Sequence, residues 1–247
     1  MVIGAGTALN AATVLVGASL GIVLGERLPE RVRSTATDGL GLLTLLVAGL
    51  QAAKITELSR PDALGRAAVL MVLGAVLIGG TVGALLGIEQ RLEHLAGWIE
   101  RRTSKSSDGE STPRFVEGFV LMSLLACVGP LTILGALQDG LGDGIELLAI
   151  KSALDGFAAL AFASALGWGV AASVVTIVGY QGTLTAVAAA SGGLLSDIVV
   201  NSITAVGGLL LVGVALRLLQ VRRVPVADML PALLVAPLLT LLIDAAR

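Results

Sequence analysis

The sequence predicts an all-α, polytopic transmembrane helix bundle of about eight spans, and three observations carry that prediction. Hydrophobic residues make up 55% of the 247 and charged residues only 14%, against about 25% charged in an ordinary soluble domain. The mean hydropathy is +0.94. Several apolar runs reach the roughly 20 residues that a helix needs to cross the hydrocarbon core of a bilayer. The lipid bilayer is therefore the expected solvent, and residues 1–247 read as a single membrane domain.

The first span, roughly 7–25, has no basic segment before it; Arg27, Arg31 and Arg33 follow it instead. That order suits a retained first helix with its N-terminus outside rather than a cleaved signal peptide. The second and third spans fall at roughly 36–53 and 66–88, and the third leads into the one substantial polar region, 89–114. Ile88, Leu92, Leu95 and Ile99 there share one helical face, as in a helix lying in the membrane interface. A cytoplasmic extension of the third helix is the other reading. "TSKSSDGESTP" then reads as a flexible linker, with Pro113 opening the fourth span, roughly 115–137.

Leu147 to Ala190 is one apolar block of about 44 residues. A single helix of that length would be about twice the hydrocarbon thickness, so the block divides at Gly167-Trp168-Gly169 into spans of roughly 146–167 and 170–190. A seven-span chain with one long helix is the alternative. The seventh span, roughly 197–219, starts at Asp197 and Asn201. The eighth, roughly 226–244, contains Pro231 and Pro237, which should bend it.

Charge supports eight spans. With the N-terminus outside, the odd-numbered loops hold Arg27, Arg31, Arg33, Arg91, Arg101, Arg102, Lys105, Arg114, Arg217, Arg222 and Arg223, eleven of the sixteen basic residues. The positive-inside rule then places these loops, including 89–114, in the cytoplasm. Trp98 and Trp168 fall at that same interface, as an aromatic belt would.

Two segments, "VLVGASLGIVLG" (14–25) and "VLIGGTVGALLG" (76–87), match at six of twelve positions. Each carries a GxxxGxxxG ridge: Gly17, Gly21 and Gly25, and Gly79, Gly83 and Gly87. Such a stripe lets another backbone approach closely and reads as helix packing, within the chain or in a homo-oligomer, the alternative being a narrow pathway lined by backbone. A second echo pairs "TDGLGLLTLLVAGL" (37–50) with "TAVGGLLLVGVALR" (204–217), two spans that run oppositely in the eight-span topology. An inverted repeat of that kind frames a midplane site in many secondary transporters.

Lys151 and Asp155 lie four residues apart inside an apolar span. Each costs roughly 2.5–3.5 kcal/mol at a helix centre, but at i, i+4 they share a face and partly neutralise each other. One reading is a structural ion pair. The other is a binding or proton-accepting site, preferred because apolar packing could replace a purely structural pair without loss. Gly129-Pro130 interrupts the fourth span, as broken helices at transporter sites do, and Tyr180 and Gln181 add polar groups to the sixth. Asn10 and Gln51 read as lone interhelical hydrogen-bonding amides.

Enzyme chemistry fails on inventory. The single His94 lies in a loop helix, so no buried Ser–His dyad exists, and no HExxH occurs. One cysteine, Cys127, and one histidine provide no metal site and no cofactor is implied. A net charge of −2 without a basic cluster gives no sign of nucleic-acid binding.

"LPERVR" (28–33), "LTILGALQDG" (131–140), "KSALDGFAALAFASALGWGV" (151–170), "TAVGGLLL" (204–211) and "VADMLPALLVAPL" (226–238) occur in that order. Together they resemble the bacterial membrane-protein family catalogued as domain of unknown function 554, the YqgA/YdfK-like proteins. The resemblance covers nearly the whole chain. It implies a multi-pass protein of the bacterial inner membrane, and it supplies neither a substrate nor functional residues. The functional expectation thus rests on the residues themselves: a transporter or channel for a small polar solute or ion, with Asp155 as the accepting group, Lys151 its partner, and Gly129, Pro130, Tyr180 and Gln181 lining the same site. The alternative is a non-transporting scaffold that assembles through the glycine ridges.

Overall fold

In the computed structural model, which describes residues 2–25, 29–60, 63–103, 113–128, 130–191 and 197–245, the described residues form helices and loops with no strand. In chain order the helices are α1 (Ala5–Gly25), α2 (Glu30–Ala52), the one-turn α3 (Ile55–Leu58), α4 (Ala67–Leu86), α5 (Ile88–Thr103) and α6 (Pro113–Val128). They continue with α7 (Pro130–Leu141), α8 (Glu146–Leu166), α9 (Trp168–Ala172), α10 (Val174–Ser191) and α11 (Asp197–Leu218), and, after a 3-10 turn at Ala227–Met229, α12 (Ala232–Ala245). Seven stretches among the described residues are long and apolar enough to cross a membrane, and the bent pair α6–α7 makes an eighth if counted as one span.

The bend has a local cause. Proline has no N–H, so Pro130 leaves the carbonyl four residues back, that of Ala126, without its helical donor. The Thr132 hydroxyl donates to that carbonyl at 2.8 Å, which re-satisfies the freed group in the way a broken membrane helix requires. The two halves are inclined at 63°.

Two glycines in the left-handed region end helices. Gly167 (φ 74°) closes α8, and the chain then turns back. Gly6 and Gly25 of α1 lie against Leu148 and Ser164 of α8, so α1 and α8 are parallel, whereas Thr7 meets Thr185 and Asn10 meets Gln181, so α10 runs oppositely. The apolar block is therefore two spans rather than one long helix. Gly87 (φ 60°) caps α4, with its N–H donated to the Ala84 carbonyl. This makes α5 a separate helix rather than an extension of α4. It also removes Gly87 from the packing ridge, because the residue serves the turn and has only Gln90 near the place of a Cβ. Pro231 precedes α12 and Pro237 lies within it. Pro231 therefore does not bend the last helix, for it stands where a missing N–H costs nothing.

The chain packs as two compact units. The first comprises Met1–Leu40, Arg91–Cys127 and Leu131–Gly193; the second comprises Gly41–Gln90, Val128–Pro130 and Leu194–Arg247. In the first, α1 packs lengthwise on α8. A Cβ at Gly17, Gly21 or Gly25 would overlap the carbonyl oxygen of Gly156, Leu160 or Ser164 respectively, so the two backbones touch along the whole ridge. In the second, Gly79 lies against Ala232 and Gly83 against the Asp228 backbone, with α12 antiparallel to α4. Gly208 of α11 lies against Ala48 and Ala52, and Gly41 against Leu219, so α2 and α11 are also antiparallel there.

Candidate functional site

The interior of the first unit contains polar groups that α1, α7, α8 and α10 bring together. Asp155 is 5% exposed and Lys151 4%. Their i, i+4 spacing puts both on one face of α8, and the Lys151 ammonium donates to Asp155 Oδ2 at 2.5 Å. Asp155 is the tenth of the 21 residues of α8 and so sits near the middle of that helix.

Asn10 joins three helices. Its Nδ2 donates to Asp155 Oδ2 at 3.0 Å and to Gln181 Oε1 at 2.9 Å, which ties α1 to α8 and α10. One α1 turn away, the Thr7 and Thr185 hydroxyls lie 3.4 Å apart. One turn further, the Gly4 N–H donates to Asp139 Oδ1 at 3.1 Å. All of these side chains are buried. The Cys127 thiol, at the end of α6, lies within electrostatic reach of Lys151 and Asp155. The half-buried Tyr180 is in turn within reach of Cys127.

Of the residues expected at the site, Lys151, Asp155 and Gln181 thus share one hydrogen-bonded network, and Tyr180 approaches it through Cys127. Gly129 lies outside the described residues, and Pro130 is placed only as the first residue of α7. Sequence reasoning set Asn10 aside as a lone amide and passed over Thr7 and Asp139. The signal was present: stepping back from Gly17 by three and four residues reaches Val14, Asn10 and Thr7, which continue the glycine ridge and are all buried.

An apolar groove at the surface of this unit is lined by Leu15, Ile99, Phe115, Trp168 and Val175, and neither Asp155 nor Lys151 belongs to it. The Arg102 guanidinium lies 5.0 Å from the centre of the Trp98 ring, a cation–π distance. Among the described residues no group of three or more His, Cys, Asp or Glu could hold a metal ion.

The second unit has its own polar cluster. Arg217 reads in the sequence as a loop charge, but it ends α11, is 5% exposed, and donates to Glu89 Oε1 at 2.7 Å. Glu89 Oε2 accepts from the Ala227 N–H at 3.0 Å, and the Glu89 N–H donates to Asp228 Oδ1 at 2.8 Å. Asp228 thereby caps the first turn of α5. The Arg217–Glu89 pair and Asp228 hold the α4–α5 turn to the segment before α12, which is a structural task.

Comparison with known proteins places this geometry in a family. The model of the family described as "Protein of unknown function (DUF554)" matches residues 5–241. The uncharacterised protein YqgA of Escherichia coli (strain K12) is 33% identical over 231 residues, 94% of each chain. The uncharacterised membrane protein YdfK of Bacillus subtilis (strain 168) is 26% identical over 240 residues, 97% of each chain. No solved structure matches.

Proposed function

The chain belongs to the DUF554 family, and we propose that this membrane protein moves an ion or a small polar solute across the bilayer, with Asp155 as the accepting group. The observation that carries the reading is the network Lys151–Asp155–Asn10–Gln181 in the middle of a lipid-embedded unit. Its members come from three helices, so no single helix register needs all of them. Purely structural charges are costly in such a place and replaceable by apolar packing. Asp155 holds the Lys151 ammonium in the resting arrangement. An arriving cation or proton takes the carboxylate and frees Lys151, which changes the bonding between α1, α8 and α10 in one step. The tight burial of the pair favours the small end of the substrate range. The broken α6–α7, interrupted just after Cys127 and Val128, supplies a hinge of the kind transporters use. The antiparallel packing of α2 and α11, which carry the second sequence echo, fits an inverted repeat. The basic loops favour the bacterial inner membrane with the N-terminus outside and 89–114 in the cytoplasm.

The closed packing also suits a second reading, a non-transporting protein in which the pair only fixes helix register. Assembly through the glycine ridges draws less support, because Gly17, Gly21, Gly25, Gly79 and Gly83 are each occupied by another helix or turn of the same unit. Cys127 separates the two readings. In sealed vesicles a small, water-soluble thiosulfonate should label this buried thiol in the native protein, because a working site must open to water. A thiol that stays unreactive until the protein is unfolded would favour the structural reading.

A further inference from the structure

Asp139 is another carboxylate buried in the first unit, at 2% exposure. No Lys or Arg among the described residues forms an ion pair with it. Its Oδ1 accepts the Gly4 N–H, while Oδ2 accepts no hydrogen bond from the described residues. Asn10, at 0% exposure, is in the same condition: with Nδ2 turned to Asp155 and Gln181, its Oδ1 points away from both and is unpartnered. Along the chain, Thr7, whose hydroxyl meets that of Thr185, stands between Gly4 and Asn10. Gly140, next to Asp139, is pressed against the Thr185 carbonyl, which sets α7 beside this layer. Gly4, just before α1, and Thr7 on it are three residues apart, so the Asp139 and threonine layers lie about 4.5 Å apart along the helix axis.

We propose that Asp139 Oδ2, Thr7 Oγ1 and Thr185 Oγ1, from neighbouring layers, form a binding site for a monovalent alkali cation, sodium by preference. The donors are all oxygens, which select a hard ion. The charge count selects its valence. Asp155 is already neutralised by Lys151, and among the described residues no cation pairs with Asp139, so one monovalent cation balances it. A divalent ion would leave a net positive charge in an apolar interior. The site goes beyond the transport reading, since binding at equilibrium requires no flux.

The test is thermal unfolding of the purified full-length protein in detergent, followed by the fluorescence of Trp98 and Trp168. Sodium chloride replaces choline chloride at constant ionic strength. A ligand that binds only the folded state raises its unfolding midpoint, so the midpoint should climb saturably with sodium. Asp139→Asn should abolish the response, Thr185→Val should raise the half-saturating sodium concentration about tenfold, a loss of the size expected for one ligand oxygen, and Asp143→Asn, on the exposed loop, should leave it unchanged. If Asp139→Asn does not fold, Thr185→Val decides alone. Equal midpoints in sodium and choline, a wild-type sodium response in Asp139→Asn or Thr185→Val, or a midpoint that follows pH but not sodium would overturn the site.

Discussion

Replacing Gly17 by alanine adds one methyl group where α1 meets α8, and its cost can be worked from the contact. The new Cβ would overlap the Gly156 carbonyl oxygen and stand 2.9 Å from the carbonyl carbon and 3.3 Å from Cα. All three atoms are main chain within a helix, so no side chain can rotate away, and α1 must retreat from α8. Overpacking of this kind costs about 1–3 kcal/mol. Gly179 provides the control: it lies inside α10 with nothing within 4 Å of the place a Cβ would take. There alanine should gain up to about 1 kcal/mol of helix propensity. Gly17→Ala and Gly179→Ala, chemically identical changes that share that gain, should therefore differ by about 1–3 kcal/mol. Reversible unfolding in mixed detergent micelles at increasing denaturing-detergent fraction measures the difference. Equal stabilities would refute the inference that the ridge is a backbone-to-backbone seam.

Lys151→Met should destabilise the fold by about 3–5 kcal/mol, because Asp155 is left as a buried charge without its cation, while Lys151→Met combined with Asp155→Leu should recover most of that loss; the same unfolding assay reads both. Arg217→Met should cost a similar amount by stranding the Glu89 carboxylate, whereas Asp228→Ala, which removes only the acceptor for the Glu89 N–H, should cost about 1 kcal/mol.

What could be read in the sequence was whatever local chemistry decides. Gly167 could be identified as a break because an apolar block of that length cannot cross a bilayer once, and Pro130 because a proline within a span orphans a helical carbonyl. The Lys151–Asp155 pair was visible because its spacing is a property of one helix. Asn10 was not, since its partners are 145 and 171 residues away, and nothing near it in sequence reports which helices will meet. The ridge glycines told that α1 would be approached closely; which helix would approach, α8, depended on tertiary packing. Asp139 was hidden for a different reason. It stands at the end of an apolar run beside a Gly-rich turn, where a carboxylate ordinarily faces water. Arg217 was misread as a loop charge, because its burial follows from the turn at Gly87 that brings Glu89 to it.

Transport itself is the direct test of the proposed role of Asp155. Wild-type and Asp155→Asn proteins are reconstituted at equal density and orientation into sealed liposomes, and the decay of imposed gradients of sodium, potassium, protons and small polar solutes is followed against protein-free liposomes. The expected result is that the wild type dissipates at least one gradient faster than empty liposomes and that Asp155→Asn, correctly folded, does not. Dissipation by Asp155→Asn at the wild-type rate, or a wild type indistinguishable from empty liposomes throughout, would contradict it.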